Sequence, residues 1–197
     1  MKLLKVCLAL APFLFAPATS QAALILYNVI LNGPSESPAN ASPGTGTATV
    51  NFDTVLHTMA ISLSFSGLTG TTTASHIHAA TALPLSGTAG VATTTPSFAG
   101  FPLGVTSGTY NNTLDMTLAS SYNPSYVTAN GGTPLTAEVA LQNAAASGQA
   151  YFNIHTSTFG GGEIRGFLIP VPEPASVSLL AIGAGMGLMR RRRTRRS

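Results

Sequence analysis

Charge is scarce in this chain: only 8% of its 197 residues are Asp, Glu, Lys or Arg, against about 25% in an ordinary soluble protein. Thr, Ser, Ala and Gly take the vacant places. Such a mixture suits short strands and turns outside a cell better than a charged cytosolic surface. There is one cysteine, Cys7, and it lies in the first few residues. Disulfides and thiol chemistry are thereby excluded from the rest of the chain. An apolar core, or a metal, must hold it instead.

Basic residues are missing from the interior of the sequence as well. The net charge of +3 comes from Lys2 and Lys5 at one end and from the cluster Arg190, Arg191, Arg192, Arg193, Arg195 and Arg196 at the other. Between residues 23 and 171 Arg165 is the only base, set against Glu36, Asp53, Asp115, Glu138 and Glu163. One cation cannot neutralise a row of phosphates, so nucleic acid is excluded as a partner. Familiar catalytic signatures are absent too. No Gly-x-Ser-x-Gly elbow occurs. The glycines at 160–162 lead into a strand rather than a helix, which rules out a phosphate loop or dinucleotide fingerprint. Asp53, Asp115 and Glu138 sit in unrelated contexts and do not suggest a glycosidase pair. The chain reads as non-enzymatic.

The ends carry the clearest patterns. Residues 1–22 combine Lys2 and Lys5 with an apolar stretch from Val6 to Ala16 and small residues at Ser20-Gln21-Ala22. That is the layout of a signal peptide cut after Ala22 by signal peptidase. A membrane anchor is the alternative, but the stretch is short of the ~20 residues needed to span and Pro12 and Pro17 interrupt it. At the other end Pro172-Glu173-Pro174 precedes an apolar run from Ala175 to Met189 and then the Arg cluster. The run predicts a short hydrophobic helix, marginal for spanning, with its basic end held on the cytoplasmic side. This arrangement resembles the PEP-CTERM sorting signal of Gram-negative bacteria, with Pro172, Glu173 and Pro174 as the recognised element. The resemblance implies handling by an exosortase, placement in the cell envelope, surface or extracellular matrix, and association with extracellular polysaccharide and biofilm.

Between the ends, residues 23–170 read as one domain and 171–197 as the sorting tail. Met59, Ile61, Leu63 and Phe65 alternate with Ala60, Ser62 and Ser64, the period of a half-buried strand. Further strands are expected at 23–31, 47–53, 74–79, 109–118, 150–156 and 163–169. A helix is expected from Thr133, which can cap it, with Pro134 in its first position and Gly148 as its stop. Its inward face is either Leu135, Val139 and Gln142, or Ala137, Ala140, Leu141 and Ala144. The fold class is therefore mainly β: a single antiparallel β-sandwich or Greek-key barrel with one short helix, flanked by the signal peptide and the C-terminal hydrophobic helix.

The histidines are the residues with chemistry to offer. His76 and His78 flank Ile77, so on a strand both imidazoles share a face. Tyr151, Asn153 and His155 share a face of the strand at 150–156. Glycines at 160–162 allow a tight turn into a strand carrying Glu163 and Arg165. The segment 148–168 resembles the C-terminal signature of the CHRD domain, first described in chordin. Asn153, His155, Thr156, Gly162, Glu163, Arg165 and Gly166 match its pattern, and His76-Ile77-His78 matches its central element. The resemblance implies an extracellular β-rich binding module. Two readings of the site stay open. In one, His76, His78 and His155 bind copper or zinc, with Glu163 as a fourth ligand or as a hydrogen-bond acceptor behind the ligands. In the other, the same residues form a polar network that only specifies the fold, with Glu163 paired to Arg165. His57 reads as a surface residue. Phe98, Tyr110, Tyr122 and Tyr126 either line a sugar-binding surface or pack locally.

Overall fold

The computed structural model describes residues 24–172; the expected signal peptide, Glu173, Pro174 and the expected hydrophobic helix lie outside them. The chain forms β1 (Leu24–Asn32), β2 (Thr45–Asp53), β3 (Thr58–Ser66), β4 (Thr72–His78) and β5 (Gly108–Asp115). Two helices follow, α1 (Pro124–Ala129) and α2 (Pro134–Ala146). The strands β6 (Tyr151–Thr156), β7 (Ile164–Phe167) and β8 (Ile169–Pro170) close the domain.

One antiparallel sheet results, in the order β4-β6-β7-β1-β2-β3-β5, with β8 paired to β1. It curls into a half-barrel. The mainly β class read from the sequence is the class observed. The central strands alternate as their sequences require. On β3 Met59, Ile61, Leu63 and Phe65 are buried, and Ser62 and Ser64 are exposed. Tyr27, Val29 and Leu31 of β1 and Ala48, Val50 and Phe52 of β2 fill the same concave face. The helix α2 begins with Thr133 as its cap; the Thr133 hydroxyl accepts from the Thr136 N–H, and the Thr136 hydroxyl accepts in return from the Thr133 N–H. Ala137, Leu141 and Ala144 point into the core, while Leu135 and Val139 are exposed. The short helix α1 is additional to the single helix expected, started by Asn123 accepting from the Ser125 N–H and by Pro124.

The outer three strands, β4, β6 and β7, differ from the rest. Ile77, Phe152, Ile154 and Ile164 face the core, yet their neighbours on the opposite face are buried as well. Loop segments that contribute Ala89, Pro96 and Gly160 cover that second face, as their contacts below show. Phe98, Tyr110, Tyr122 and Tyr126 are all buried core residues. They pack locally, and the sugar-binding alternative for them is corrected.

Candidate metal centre

The covered face of β4 and β6 carries the histidines. In register, His78 lies opposite Tyr151, His76 opposite Asn153 and Ala74 opposite His155. His155 is therefore the diagonal neighbour of His76, within reach of a long ring across an antiparallel pair. The ring centroids of His76 lie 4.7 Å from those of both His78 and His155, and His78 to His155 is 5.8 Å. One ring nitrogen from each of the three lies within 4.8 Å of the others.

Each imidazole is anchored from behind. Nδ1 of His76 lies 3.2 Å from the Pro96 carbonyl, Nδ1 of His78 2.8 Å from that of Ala89, and Nδ1 of His155 2.9 Å from that of Gly160. A carbonyl oxygen can only accept, so each Nδ1 carries the proton and donates. A neutral imidazole then holds its lone pair on Nε2. All three Nε2 atoms are buried and none has a hydrogen-bond partner. His76 and His78 are buried as residues; His155 is partly exposed, although its Nε2 is not.

The electrostatics keep the rings neutral. Burial pushes His76 down to about 3, assisted by repulsion from His78 and His155. Burial also pushes His78 down to about 4, against the opposing pull of the Ala89 carbonyl, and it lowers His155. Buried acceptors without donors are costly. Three of them in a cluster with ring nitrogens within 4.8 Å of one another offer a set of ligands for a cation. The backbone carbonyls on Nδ1 set the tautomer and ring orientation, as partners behind metal-bound histidines do.

The remaining signature residues surround this cluster without joining it. Glu163 lies at a bend just before β7, after Gly162 at φ 129°. Its carboxylate accepts from the hydroxyls of Ser42 (2.5 Å) and Thr156 (2.6 Å) and from the N–H groups of Thr69 and Gly70. Burial raises its pKa, but these donors outweigh burial and hold it below the usual carboxylate range. The expected Glu163–Arg165 pair is absent, because the bend at 163 takes the carboxylate toward the 69–70 segment. The three-histidine group also does not include Glu163, so the fourth-ligand reading is corrected.

Arg165 instead bonds the carbonyls of Ser35 and Gly87 and lies 3.8 Å from Glu36. Burial pushes the Glu36 carboxyl up to about 7, against the pull of Arg165. The Arg165 guanidinium sits 4.7 Å over the Tyr151 ring, and Tyr151 stacks on His78 at 4.7 Å with 5° between planes. Asn153 stands between His76 on β4 and Arg165 on β7, with its Oδ1 buried and unpartnered. Gly166 brings β7 close to β1: a Cβ there would lie 2.1 Å from the Ile30 carbonyl oxygen. His57, the fourth histidine, is partly exposed and bonds Glu138 at 2.7 Å, away from the cluster. Sequence reading missed Glu36, Ser42 and the loop carbonyls. Glu36 sits in a Pro-rich loop with no periodic pattern to place it.

A curled β domain, with a buried histidine cluster over its outer strands and a sorting motif behind it, defines a class: an exported β-rich module. The chain belongs to the CHRD domain family, which it matches over residues 27–168. It also carries a PEP-CTERM protein-sorting motif at residues 170–193. No curated protein and no solved structure matches it. The motif is one recognised by exosortase, and it directs export to the envelope or surface of a Gram-negative bacterium. Neither family is an enzymatic one.

Proposed function

We propose that the protein is a surface-displayed, non-enzymatic metal-binding module, exported through signal peptidase and exosortase, with His76, His78 and His155 as ligands for copper or zinc. One observation carries the reading: three buried Nε2 atoms have no donor to satisfy them, in a cluster with ring nitrogens within 4.8 Å of one another. A network that only held the fold would pair those atoms with one another or with N–H groups. Here the pairing stops at Nδ1. The family is an extracellular module and the tail sends it outside the cell, where metal ions are met directly.

The test is metal content. The full-length chain, purified in mild detergent, is exposed to copper or zinc, desalted and counted by mass spectrometry. The expected result is about one ion per chain, lost in His76→Ala and His155→Ala. Background metal in the unaltered protein overturns the reading.

A second reading, adhesion within extracellular polysaccharide, is favoured by a separate observation. The outer face of β1, β2, β3 and β5 presents Asn28, Thr49, Ser62 and Asn111 in one cross-strand row, all exposed, and no charged side chain interrupts it. Hydroxyls and amides in such a row suit a neutral glycan. Co-sedimentation with insoluble polysaccharide is expected to survive loss of the histidines and to fail when Thr49 and Ser62 are replaced by Glu.

A further inference from the structure

We infer that the three-histidine centre holds copper in its monovalent state in preference to a divalent ion. The inference rests on the reading of that centre as a metal site and adds the charge of its ion.

The donors are three neutral imidazoles, and among the described residues no Asp, Glu or Cys joins them. The two buried carboxylates of this part of the fold are committed elsewhere. Glu163 accepts from Ser42, Thr69, Gly70 and Thr156, and Glu36 faces Arg165. The charge that faces the centre is positive. Arg165 lies over Tyr151, and Tyr151 stacks on His78. A cation at the three Nε2 atoms thus enters a dry volume with no anion in its coordination shell and another cation one ring away.

The cost of taking an ion out of water grows with the square of its charge, so a divalent ion loses about four times as much hydration energy as a monovalent one of similar size. Its repulsion from Arg165 is doubled as well. Carboxylate or thiolate ligands ordinarily offset these terms, and this centre has none. Coordination number points the same way. Zinc held by three protein ligands takes a water as its fourth, which this dry volume would have to admit. Monovalent copper has a filled d shell and accepts low coordination, a trigonal set included. Three nitrogens at bond lengths of about 2.0 Å stand roughly 3.5 Å apart. The present spread, up to 4.8 Å, therefore closes by about 1 Å on loading.

Tighter binding of the reduced ion raises the reduction potential of bound copper by about 59 mV for each tenfold preference. The centre is thus suited to receive and keep reduced copper.

The experiment titrates the full-length chain in detergent. Monovalent copper is added anaerobically against a chromophoric chelator of that ion, and divalent copper and zinc are added against their own competing chelators. The potential of the copper-loaded protein is read against redox mediators. The expected result is one monovalent copper per chain, bound at least about tenfold more tightly than divalent copper, with a potential above the aqueous copper couple. Asn153→Asp, which places a carboxylate between His76 and Arg165, should move the preference toward the divalent ions by roughly tenfold, lowering the potential by about 59 mV. Divalent copper or zinc binding as tightly as monovalent copper, or a potential at or below the aqueous couple, overturns this inference while the metal site stands. No binding of any of the three ions overturns both.

Discussion

At the scale of single residues, two groups decide the behaviour of the outer strands. Gly166 is needed for space, not for an unusual backbone angle. A Cβ there would meet the Ile30 carbonyl at 2.1 Å and Val29 Cγ1 at 2.9 Å. The Ile30 carbonyl is backbone of β1 and cannot turn aside as a flexible side chain would. Gly166→Ala is expected to cost about 3 kcal/mol or more, by forcing β7 off β1. Urea denaturation measures it, and an unchanged midpoint would refute the close approach.

The histidines titrate in a definite direction. In the unfolded chain they take up protons near pH 6.5. In the folded, metal-free protein burial delays this to about 4 for His78 and about 3 for His76, and lowers His155 too. The unfolded state binds more protons in that window, so stability falls as the pH drops from about 6.5 toward 4. Glu36 works in the opposite sense. Its folded pKa is raised to about 7, so it adds stability as the pH falls from there toward its ordinary value. Three histidines outweigh one carboxyl, and the net slope is a loss. Glu163, held low by its donors, adds to the loss at the acid end. Urea midpoints of the metal-free chain across this window check the slope, and His76→Leu should make it shallower. A flat profile would mean that the rings are not buried and neutral.

At the scale of elements, α2 shows how a local signal and a tertiary contact divide the work. Its start is local: Thr133 and Thr136 satisfy each other's backbone N–H groups, with Pro134 in the first turn. Thr133→Ala should therefore cost about 1 kcal/mol. Its orientation is tertiary. Leu141 is fully buried in the core, whereas Leu135 is exposed. Leu141→Ala is expected to cost about 2–5 kcal/mol through the cavity it leaves, and Leu135→Ala less than about 0.5 kcal/mol. Thermal melts of the three variants check the order. Equal losses at 135 and 141 would place the helix on its other face. The sequence left those two faces as alternatives, because both have helical spacing and both are apolar.

At the scale of the whole molecule, the domain is held by its core and, in the reading proposed here, by an ion. It has no disulfide to fall back on, since the chain's single cysteine is Cys7. A metal that binds only the folded state adds about 4 kcal/mol when present at roughly 1,000 times its dissociation constant. Copper loading should therefore raise the melting temperature of the full-length chain by several degrees, and His155→Ala should abolish the increase. A melting temperature insensitive to copper would argue against a site formed by folding.

How much of this was legible beforehand follows from the range of the forces involved. The strand around 59–65 was legible because burial of one face imposes a period of two on the residues themselves. The same period placed His76 with His78, and Tyr151 with Asn153 and His155, before any fold was known. The C-terminal sorting motif was legible because it is read as a linear pattern, without folding. Only the tertiary structure decided that β4 and β6 are adjacent, so that the two histidine groups become one cluster. It also decided that Arg165 turns to Glu36 and Glu163 to Ser42 and Thr156. Those choices depend on strand order and on which irregular loops lie over the outer strands. Pro96, Ala89 and Gly160 anchor the three rings through backbone carbonyls, a group every residue carries alike. The sequence by itself thus determined most of the strands, the faces of their side chains and the C-terminal sorting signal. The meeting of the three lone pairs was left to the packing, because convergence in space leaves no periodic trace along the chain.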